Sequence, residues 1–199
     1  MSITFQQLYT ANLSAEWMAQ PFQGFVLDSR KVQAGQIFIA LTSLSQPEKT
    51  EQFAQIALDK GALAVVSETE LALANSIVVP NVRHLMGGWQ KQFLLATSQV
   101  QPARILAVTG TNGKTTISRL VAELLMLQGK SCAVMGTTGN GILPNLEASS
   151  HTTLDALHLQ NALHSYAKQG AEFASIEASS HGLEPVSYTH LTLPTNREV

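Results

Sequence analysis

The sequence predicts an α/β protein with mostly parallel sheets, arranged as two consecutive α/β segments. Short apolar runs typical of buried strands alternate along the chain with longer stretches of helical periodicity. Apolar residues make up 45% of the 199 residues and charged residues only 13%, as expected where sheets are covered on both faces. A glycine-rich loop stands between one such run and the helix after it, which is the strand–turn–helix order of an α/β unit.

The first segment, residues 1–100, is predicted to alternate between strands and helices. The predicted elements are strands at residues 24–27, 36–41, 64–66 and 77–79, and helices at residues 51–60 and 82–97. Phe53, Ile56 and Ala57 form one apolar face of the first helix, which we expect to pack on the sheet. A linker near residues 98–104 leads to the second segment.

The second segment, residues 101–184, begins with the strand before the glycine-rich loop. The predicted elements are strands at residues 105–108, 131–135 and 173–178, helices at residues 117–127 and 154–169, and a glycine-rich turn at residues 136–141. Alternation of strands and helices favours a parallel sheet with right-handed crossovers. The carboxyl ends of such strands meet at one edge, so we expect the polar residues that follow them to lie together there.

The strongest local signal is the sequence G-x-x-G-K-T at the start of the helix that follows the first strand of this segment. Glycines let backbone N–H groups point at phosphate oxygens, and the helix N-terminus adds partial positive charge. Lys114 is expected to reach the β- and γ-phosphates of a nucleoside triphosphate, and Thr115 to ligate Mg²⁺. Val108 stands where a strict Walker A pattern has its first glycine, so the loop is a shortened relative; the alternative is a plain glycine turn. The predicted phosphate-binding residues are Gly110, Thr111, Asn112, Gly113, Lys114, Thr115 and Thr116.

Other polar residues at strand and helix ends have two interpretations each. Glu177 is predicted to hold Mg²⁺ opposite Thr115, directly or through water, because a phosphate loop needs an acidic metal partner. The alternative is a carboxylate that caps the next element. From the pattern alone, Thr152, Thr153 and Ser179 are capping residues. The segment around Asp28 is, on the same grounds, a plain turn.

Composition and charge exclude several classes of function. The formal net charge of −2 provides no basic surface for nucleic acid. No apolar run is long enough to cross a bilayer and the N-terminus lacks the pattern of a signal peptide, so we expect a cytoplasmic protein. The single cysteine, Cys132, lies in an apolar run and is predicted to be a buried, inert thiol. The six histidines show no metal-ligand spacing.

Taken together, these segments resemble the Mur ligases, ATP-dependent enzymes that form amide bonds in peptidoglycan synthesis. The resemblance is carried by residues 27–32, 34–41, 61–62, 108–116, 135–141, 151–157 and 177–183. The first of these groups is shared with the members that add the last dipeptide. The later groups, especially G-T-T-G-N-G, H-T-T-L-D-A-L and E-A-S-S-H-G-L, look like the members that add the third peptide residue.

The resemblance implies which parts of the chain bind which ligands. Residues 1–100 would be an N-terminal domain that binds a UDP-N-acetylmuramoyl dipeptide, and residues 101–184 the first part of a central domain that binds ATP. The second substrate would be a diamino acid, diaminopimelate or, in the sister ligase, L-lysine, and the enzyme would be a monomer. The implied substrate contacts are Leu27 and Ser29 to the uridine diphosphate portion, and Thr152, Thr153 and Ser179 to the muramoyl peptide.

The resemblance also implies a reaction. ATP phosphorylates the D-glutamate side-chain carboxylate to an acyl phosphate, which the amine of the diamino acid attacks. Lys114 would act in catalysis by neutralising charge on the transferred phosphoryl group, and Thr115 and Glu177 would hold Mg²⁺.

The sequence departs from the family pattern in three places, one of which is His151, where an asparagine is common. Residues 42–48 differ from the glycine- and Asp-Gly-containing loop that usually lies over the nucleotide portion of the substrate. Pro185 and Ser187 stand where the family has a glutamine and an arginine, and residues 185–199 resemble nothing in the family. We therefore expect a non-native tail after residue 184 and an inactive fragment of the ligase. The other function classes are a related ligase such as a folate polyglutamate synthase and a non-enzymatic nucleotide-binding protein.

Overall fold

The computed structural model describes residues 2–10, 15–42, 48–147 and 155–178. The chain divides into two compact units, Met1–Gln99 and Val100–Val199. Both units are α/β, as predicted.

Unit 1 is built on a four-stranded parallel sheet with strand order β1-β2-β3-β4. Its elements are helix α1 (Phe5–Leu8), strands β1 (Phe25–Val26) and β2 (Ile37–Ala40), helix α2 (Glu48–Asp59), strands β3 (Ala64–Ser67) and β4 (Ser76–Val78), and helix α3 (Val82–Ser98). All four predicted strands are present. The short helix α1 was not predicted, because four residues carry too little periodicity to be recognised.

Aromatic side chains form part of the core of unit 1. Phe5 is fully buried and its ring lies 5.0 Å from that of Trp89 in an edge-on arrangement. Trp17 and Phe25 also contact the Phe5 ring. A separate apolar cluster joins helix α2 to the sheet and consists of Phe38, Ala40, Ala54, Ala57 and Val65.

Helix α2 does not present to the sheet the whole face that the sequence suggested. Ala57 is buried as expected, but Phe53 is 47% exposed and Ile56 is 41% exposed. The buried positions are Thr50, Ala54 and Ala57, whose small side chains let the helix lie close to the strands. The larger apolar side chains of Phe53 and Ile56 are therefore left facing outward.

Unit 2 contains a mixed sheet with strand order β5-β8-β6-β7. Its elements are strand β5 (Arg104–Val108), helix α4 (Lys114–Leu127), strands β6 (Cys132–Gly136) and β7 (Gly139–Ile142), helix α5 (Ala156–Lys168) and strand β8 (Phe173–Glu177). Strand β8 pairs in parallel with β5 on one side and with β6 on the other. Val108 pairs with Glu177, so the carboxyl ends of these strands lie at one edge.

The turn predicted over residues 136–141 is confirmed only at residues 137 and 138. Gly136 ends β6, and Gly139–Ile142 forms strand β7, which pairs with β6 in antiparallel register. Gly139 and Gly141 have positive φ angles, and a Cβ at either position would press into the backbone of Leu146 or its neighbours. This strand requires glycine for close packing, and so lacks the apolar alternation by which strands are recognised.

Candidate phosphate and cation site

The loop between β5 and α4 has the backbone of a phosphate-binding turn. Gly110 has a φ of 151° and Gly113 a φ of 79°, conformations that favour glycine. Gly113 precedes the first residue of α4, and its carbonyl oxygen accepts the first helical hydrogen bond from the Ile117 N–H at 2.9 Å. The N–H groups of the first helical turn have no partner within a helix, so they are available to an anion at this point.

Lys114 lies over this loop. Its Nζ donates hydrogen bonds to the carbonyl oxygen of Gly110 at 2.8 Å and of Thr111 at 3.4 Å. The ammonium group is thereby held beside the same backbone that would surround a phosphate group. Positive charge and backbone donors thus converge on one short segment.

Three oxygen-bearing side chains meet at the carboxyl edge of the sheet. The Thr115 hydroxyl donates to Glu177 Oε2 at 2.9 Å and lies 3.0 Å from the Thr137 hydroxyl. The backbone N–H of Thr137 donates to Glu177 Oε1 at 3.1 Å. The structure therefore brings together the two residues that the sequence predicted as metal ligands, and adds a third residue that it did not.

Glu177 is a buried carboxylate, with only 4% of the residue exposed. Its hydrogen-bond donors are neutral, and within the described ranges no lysine, arginine or histidine forms an ion pair with it. Buried charge is costly unless it is compensated. A divalent cation between Glu177 and Thr115 would supply that compensation, and oxygen donors of this kind suit Mg²⁺.

No group of three or more acidic, histidine or cysteine side chains that could hold a metal occurs among the residues with described positions. A cation here would therefore take one carboxylate, hydroxyl oxygens, water and the ligand's own phosphate oxygens. That is the usual coordination of Mg²⁺ at nucleotide sites. The residues fit the ion that the sequence predicted.

Buried serines fix the start of α4 against the sheet. Ser175 in β8 donates to the carbonyl oxygen of Ser118 at 2.8 Å, and both residues are fully buried. The Ser118 hydroxyl in turn donates to the carbonyl oxygen of Thr115 at 3.1 Å. The sequence analysis did not single out either serine, although a lone hydroxyl in an apolar strand, as at Ser175, indicates a buried hydrogen bond of this kind.

Unit 1 contains a separate cleft of about 530 Å³ that includes both residues predicted to contact uridine diphosphate. Leu27 and Ser29 line it together with Phe38 and the outward side chains of Phe53 and Ile56. Ser29 is 5% exposed, and no described residue hydrogen bonds to its hydroxyl. Sequence reasoning assigned Phe53 and Ile56 to the core and so missed them as cleft residues.

Asp28 and Arg30 form the charged rim of this cleft. Asp28 Oδ1 accepts from the Arg30 backbone N–H at 3.0 Å and from Nε at 2.9 Å, and Oδ2 accepts from Nη2 at 2.9 Å. These hydrogen bonds lower the pKa of Asp28 to about 2. The segment predicted as a plain turn is a 3₁₀ turn, Ser29–Lys31, capped by the Asp28 side chain.

Several predictions concern other parts of the chain. Cys132 is buried, as predicted, and burial raises the pKa of its thiol. Asp155 caps α5 by accepting from the His158 N–H at 2.9 Å. No described helix is long and apolar enough to cross a membrane. Thr152, Thr153 and Ser179 lie outside the described residues, and their predicted contacts stay predictions.

Comparison with known proteins points to one family. The model of the Mur ligase middle domain matches residues 108–195. This match includes most of the segment predicted to be a non-native tail, which lies outside the described residues. A UDP-N-acetylmuramoyl-L-alanyl-D-glutamate–2,6-diaminopimelate ligase from Haemophilus influenzae is 43% identical over 166 residues, covering 79% of this chain and 34% of the relative.

Solved structures agree with the sequence comparison. A structure of a ligase of the same name is 66% identical, with a TM-score of 0.88, over 93% of this chain and 37% of its own. A MurF ligase from Thermotoga maritima in complex with ADP shares the fold at 21% identity and a TM-score of 0.51, over 79% of this chain and 32% of its own. The chain thus spans about a third of the length of the relatives it matches. On this evidence the chain belongs to the Mur ligase family.

Proposed function

We propose that this chain provides the ATP-phosphate site and the uridine diphosphate site of a peptidoglycan ligase. The ligase would add meso-diaminopimelate to UDP-N-acetylmuramoyl-L-alanyl-D-glutamate, which is the activity named for the relatives at 43% and 66% identity. The observation that carries the proposal is the convergence of the glycine loop, Lys114, Thr115 and Glu177 at one sheet edge. An L-lysine-adding ligase is the alternative, since nothing in these residues selects the diamino acid.

The proposed reaction solves the problem that a carboxylate is a poor acylating agent. A glutamate carboxylate oxygen attacks the γ-phosphorus of ATP, ADP leaves, and an acyl phosphate forms. The amine then attacks the acyl carbon, loses a proton, and inorganic phosphate leaves from the tetrahedral intermediate. The leaving groups of the two steps, ADP and inorganic phosphate, are both better leaving groups than the oxide ion that a free carboxylate would have to expel.

The residues of unit 2 would act mainly by positioning and charge neutralisation. Backbone N–H groups of residues 110–116 would hold the phosphates, and Lys114 would exchange its contacts with the loop carbonyls for contacts with phosphate oxygens. Thr115 and Glu177 would hold Mg²⁺, which supplies further neutralisation of phosphate charge when bound. The buried position of Glu177 keeps its oxygens fixed before the ligand arrives.

The cleft in unit 1 supports the second half of the proposal. Leu27 and Ser29 would contact the uridine diphosphate portion, with the Ser29 hydroxyl available for a polar contact. The exposed side chains of Phe53 and Ile56 would provide apolar surface beside the Ser29 hydroxyl. Thr152, Thr153 and Ser179 complete the proposal as contacts to the muramoyl peptide. We also propose that the protein is a monomer and that it lies in the cytoplasm, where ATP is supplied.

Calorimetry with Mg·ATP tests the proposal. The wild-type chain is expected to bind Mg·ATP, and Lys114→Ala to weaken binding about tenfold or more, because hydrogen bonds between charged groups are lost. Lys130→Ala is the matched control, since Lys130 forms only an exposed ion pair with Glu172 in the same unit. A folded wild-type chain that does not bind Mg·ATP would contradict the proposal.

Two further measurements separate the remaining functions. We expect the 199 residues to bind UDP-N-acetylmuramoyl dipeptide but to form no amide product, because they span about a third of the relatives. Amide formation by this chain alone would refute the expectation of an inactive fragment. ATP binding without affinity for the UDP-linked substrate would instead identify a nucleotide-binding protein of another function.

A further inference from the structure

We propose that Thr137 is a positioning residue for the cation site, holding the Glu177 carboxylate in the orientation that a bound Mg²⁺ needs. The inference rests on the proposed Mg·ATP function and adds a residue that the sequence motifs did not assign. Thr137 follows strand β6, 40 residues before Glu177 in the chain, and reaches it because β6 pairs with β8.

Thr137 contacts both oxygens of the carboxylate. Its backbone N–H donates to Oε1 at 3.1 Å, and its hydroxyl lies 3.3 Å from Oε1 and 3.2 Å from Oε2 of Glu177. Thr115, by contrast, contacts only Oε2, at 2.9 Å. A cation that takes Oε2 and the Thr115 hydroxyl therefore leaves the contacts of Thr137 to Oε1 in place. These contacts prevent the carboxylate from rotating about its terminal bond.

The spacing of the oxygens suits one small ion. The two proposed ligand oxygens, the hydroxyl of Thr115 and Oε2 of Glu177, lie 2.9 Å from each other. Neighbouring oxygens around an octahedral Mg²⁺, each about 2.1 Å from the ion, are about 3 Å apart. The pair is thus already close to the spacing that binding requires, so little reorganisation is needed.

The β6–β7 hairpin, whose turn contains Thr137, holds this residue in a fixed position. Gly136 and Gly139 pair at the end of the β6–β7 ladder, which fixes the tight turn that carries Thr137. The Gly136 N–H donates to Asn140 Oδ1 at 3.0 Å, a second restraint across the same turn. A Cβ at Gly136 would overlap the Glu177 carboxylate, so the backbone lies directly against that group.

Substitution of Thr137 tests this role. Thr137→Val keeps the β-branched shape and the backbone N–H but removes the hydroxyl, whereas Thr137→Ser keeps the hydroxyl. Thr138→Val is the matched control, because Thr138 is the exposed neighbour in the same turn. The readouts are the Mg²⁺ concentration for half-maximal ATP binding and direct binding of Mn²⁺ measured by electron paramagnetic resonance.

We expect Thr137→Val to raise the required Mg²⁺ concentration about three- to tenfold, since one hydrogen bond to a charged group is lost while the N–H contact remains. ATP affinity without metal should be unchanged, Thr137→Ser should restore the wild-type value, and Thr138→Val should match it. A purely structural role would lower ATP affinity with and without metal alike. If Thr137→Val does not fold, Thr137→Ala is measured in its place.

Two results overturn the inference, and they are distinguishable. If the wild type binds ATP in a Mg²⁺-dependent way and Thr137→Val has the same dependence, Thr137 has no positioning role although the proposed function stands. If the wild type itself shows no Mg²⁺-dependent ATP binding, the proposed cation site fails and this role fails with it.

Discussion

At the scale of single residues, the proposed cation site depends on a glycine as much as on its proposed oxygen ligands. Gly136 leaves open the space that the Glu177 carboxylate occupies. The carboxylate can be buried there only because the neighbouring strand end has no side chain. The sequence motif contains this glycine, but the need for glycine at this position comes from Glu177, which lies 41 positions further along the chain and is brought close by strand pairing.

Gly136→Ala is expected to destabilise unit 2 by about 1–3 kcal/mol, because a methyl group must displace a buried carboxylate. Urea denaturation followed by circular dichroism measures the change. The same substitution made in a Glu177→Ala background should cost much less, since the obstructing group is gone. An equal loss in both backgrounds would show that the methyl group meets something other than Glu177.

The Asp28–Arg30 pair predicts a pH dependence of stability in unit 1. Hydrogen bonds from Arg30 lower the folded-state pKa of Asp28 from 3.8 to about 2. A depressed carboxyl pKa stabilises the folded state above the unfolded value, and this contribution is lost as pH falls from about 4 to about 2. Because Arg30 is exposed, the effect is expected to be small.

Denaturation of wild type and Asp28→Asn at several pH values measures this effect. The difference in the free energy of unfolding should be constant from pH 7 to about 5 and should shrink below about pH 4. Arg30→Gln removes the guanidinium but keeps the backbone N–H of residue 30, so it should weaken the pH dependence of the difference without abolishing it. A difference that grows on acidification would contradict the assignment.

At the scale of elements, helices α4 and α5 differ in which side chains they bury. Leu159 and Leu163 of α5 are at most 2% exposed and belong to the core cluster on the sheet. Helix α4 buries the small residues Ser118 and Ala122, while Leu120 and Leu124 are each 50% exposed. Helical periodicity predicted both helices, yet it does not reveal whether the large or the small residues face the strands.

Leu163→Ala is accordingly expected to lower the free energy of unfolding by about 2–5 kcal/mol, whereas Leu124→Ala should change it by less than about 1 kcal/mol. Circular dichroism is the suitable probe, because both tryptophans, Trp17 and Trp89, lie in unit 1. Similar losses for the two variants would mean that the outer face of α4 is covered in solution.

At the scale of the whole molecule, the two units carry separate proposed sites. Each ligand should therefore stabilise the unit that holds its site, by about 2.7 kcal/mol at a ligand concentration 100 times the Kd. Tryptophan fluorescence reports on unit 1 and should respond to UDP, while circular dichroism should detect the added stability of unit 2 with Mg·ATP. An unfolding transition, followed by tryptophan fluorescence, that does not shift when UDP is added would contradict the proposed binding of uridine diphosphate in the cleft.

The sequence was sufficient for most of this architecture and for the main residues of the candidate site. Apolar runs predicted the strands other than β7, and the glycine loop located Lys114 and Thr115 at the start of α4. Strand β7 was not predicted, because glycine and asparagine are not typical strand residues. Thr137 was not predicted as a site residue, because threonine is an ordinary residue in a turn. Its closeness to Glu177 depends on which strands pair.

The central place of β8 between β5 and β6 sets the order in which this unit is completed. As the chain emerges from the ribosome, β6 and β7 can join at once through their two-residue turn, but β5 has no neighbour until residues 173–177 have been made. Within the described part of unit 2, the glycine loop would consequently be the last feature to gain its support, and nascent chains that stop short of Phe173 would possess the loop without the strand that pairs with β5.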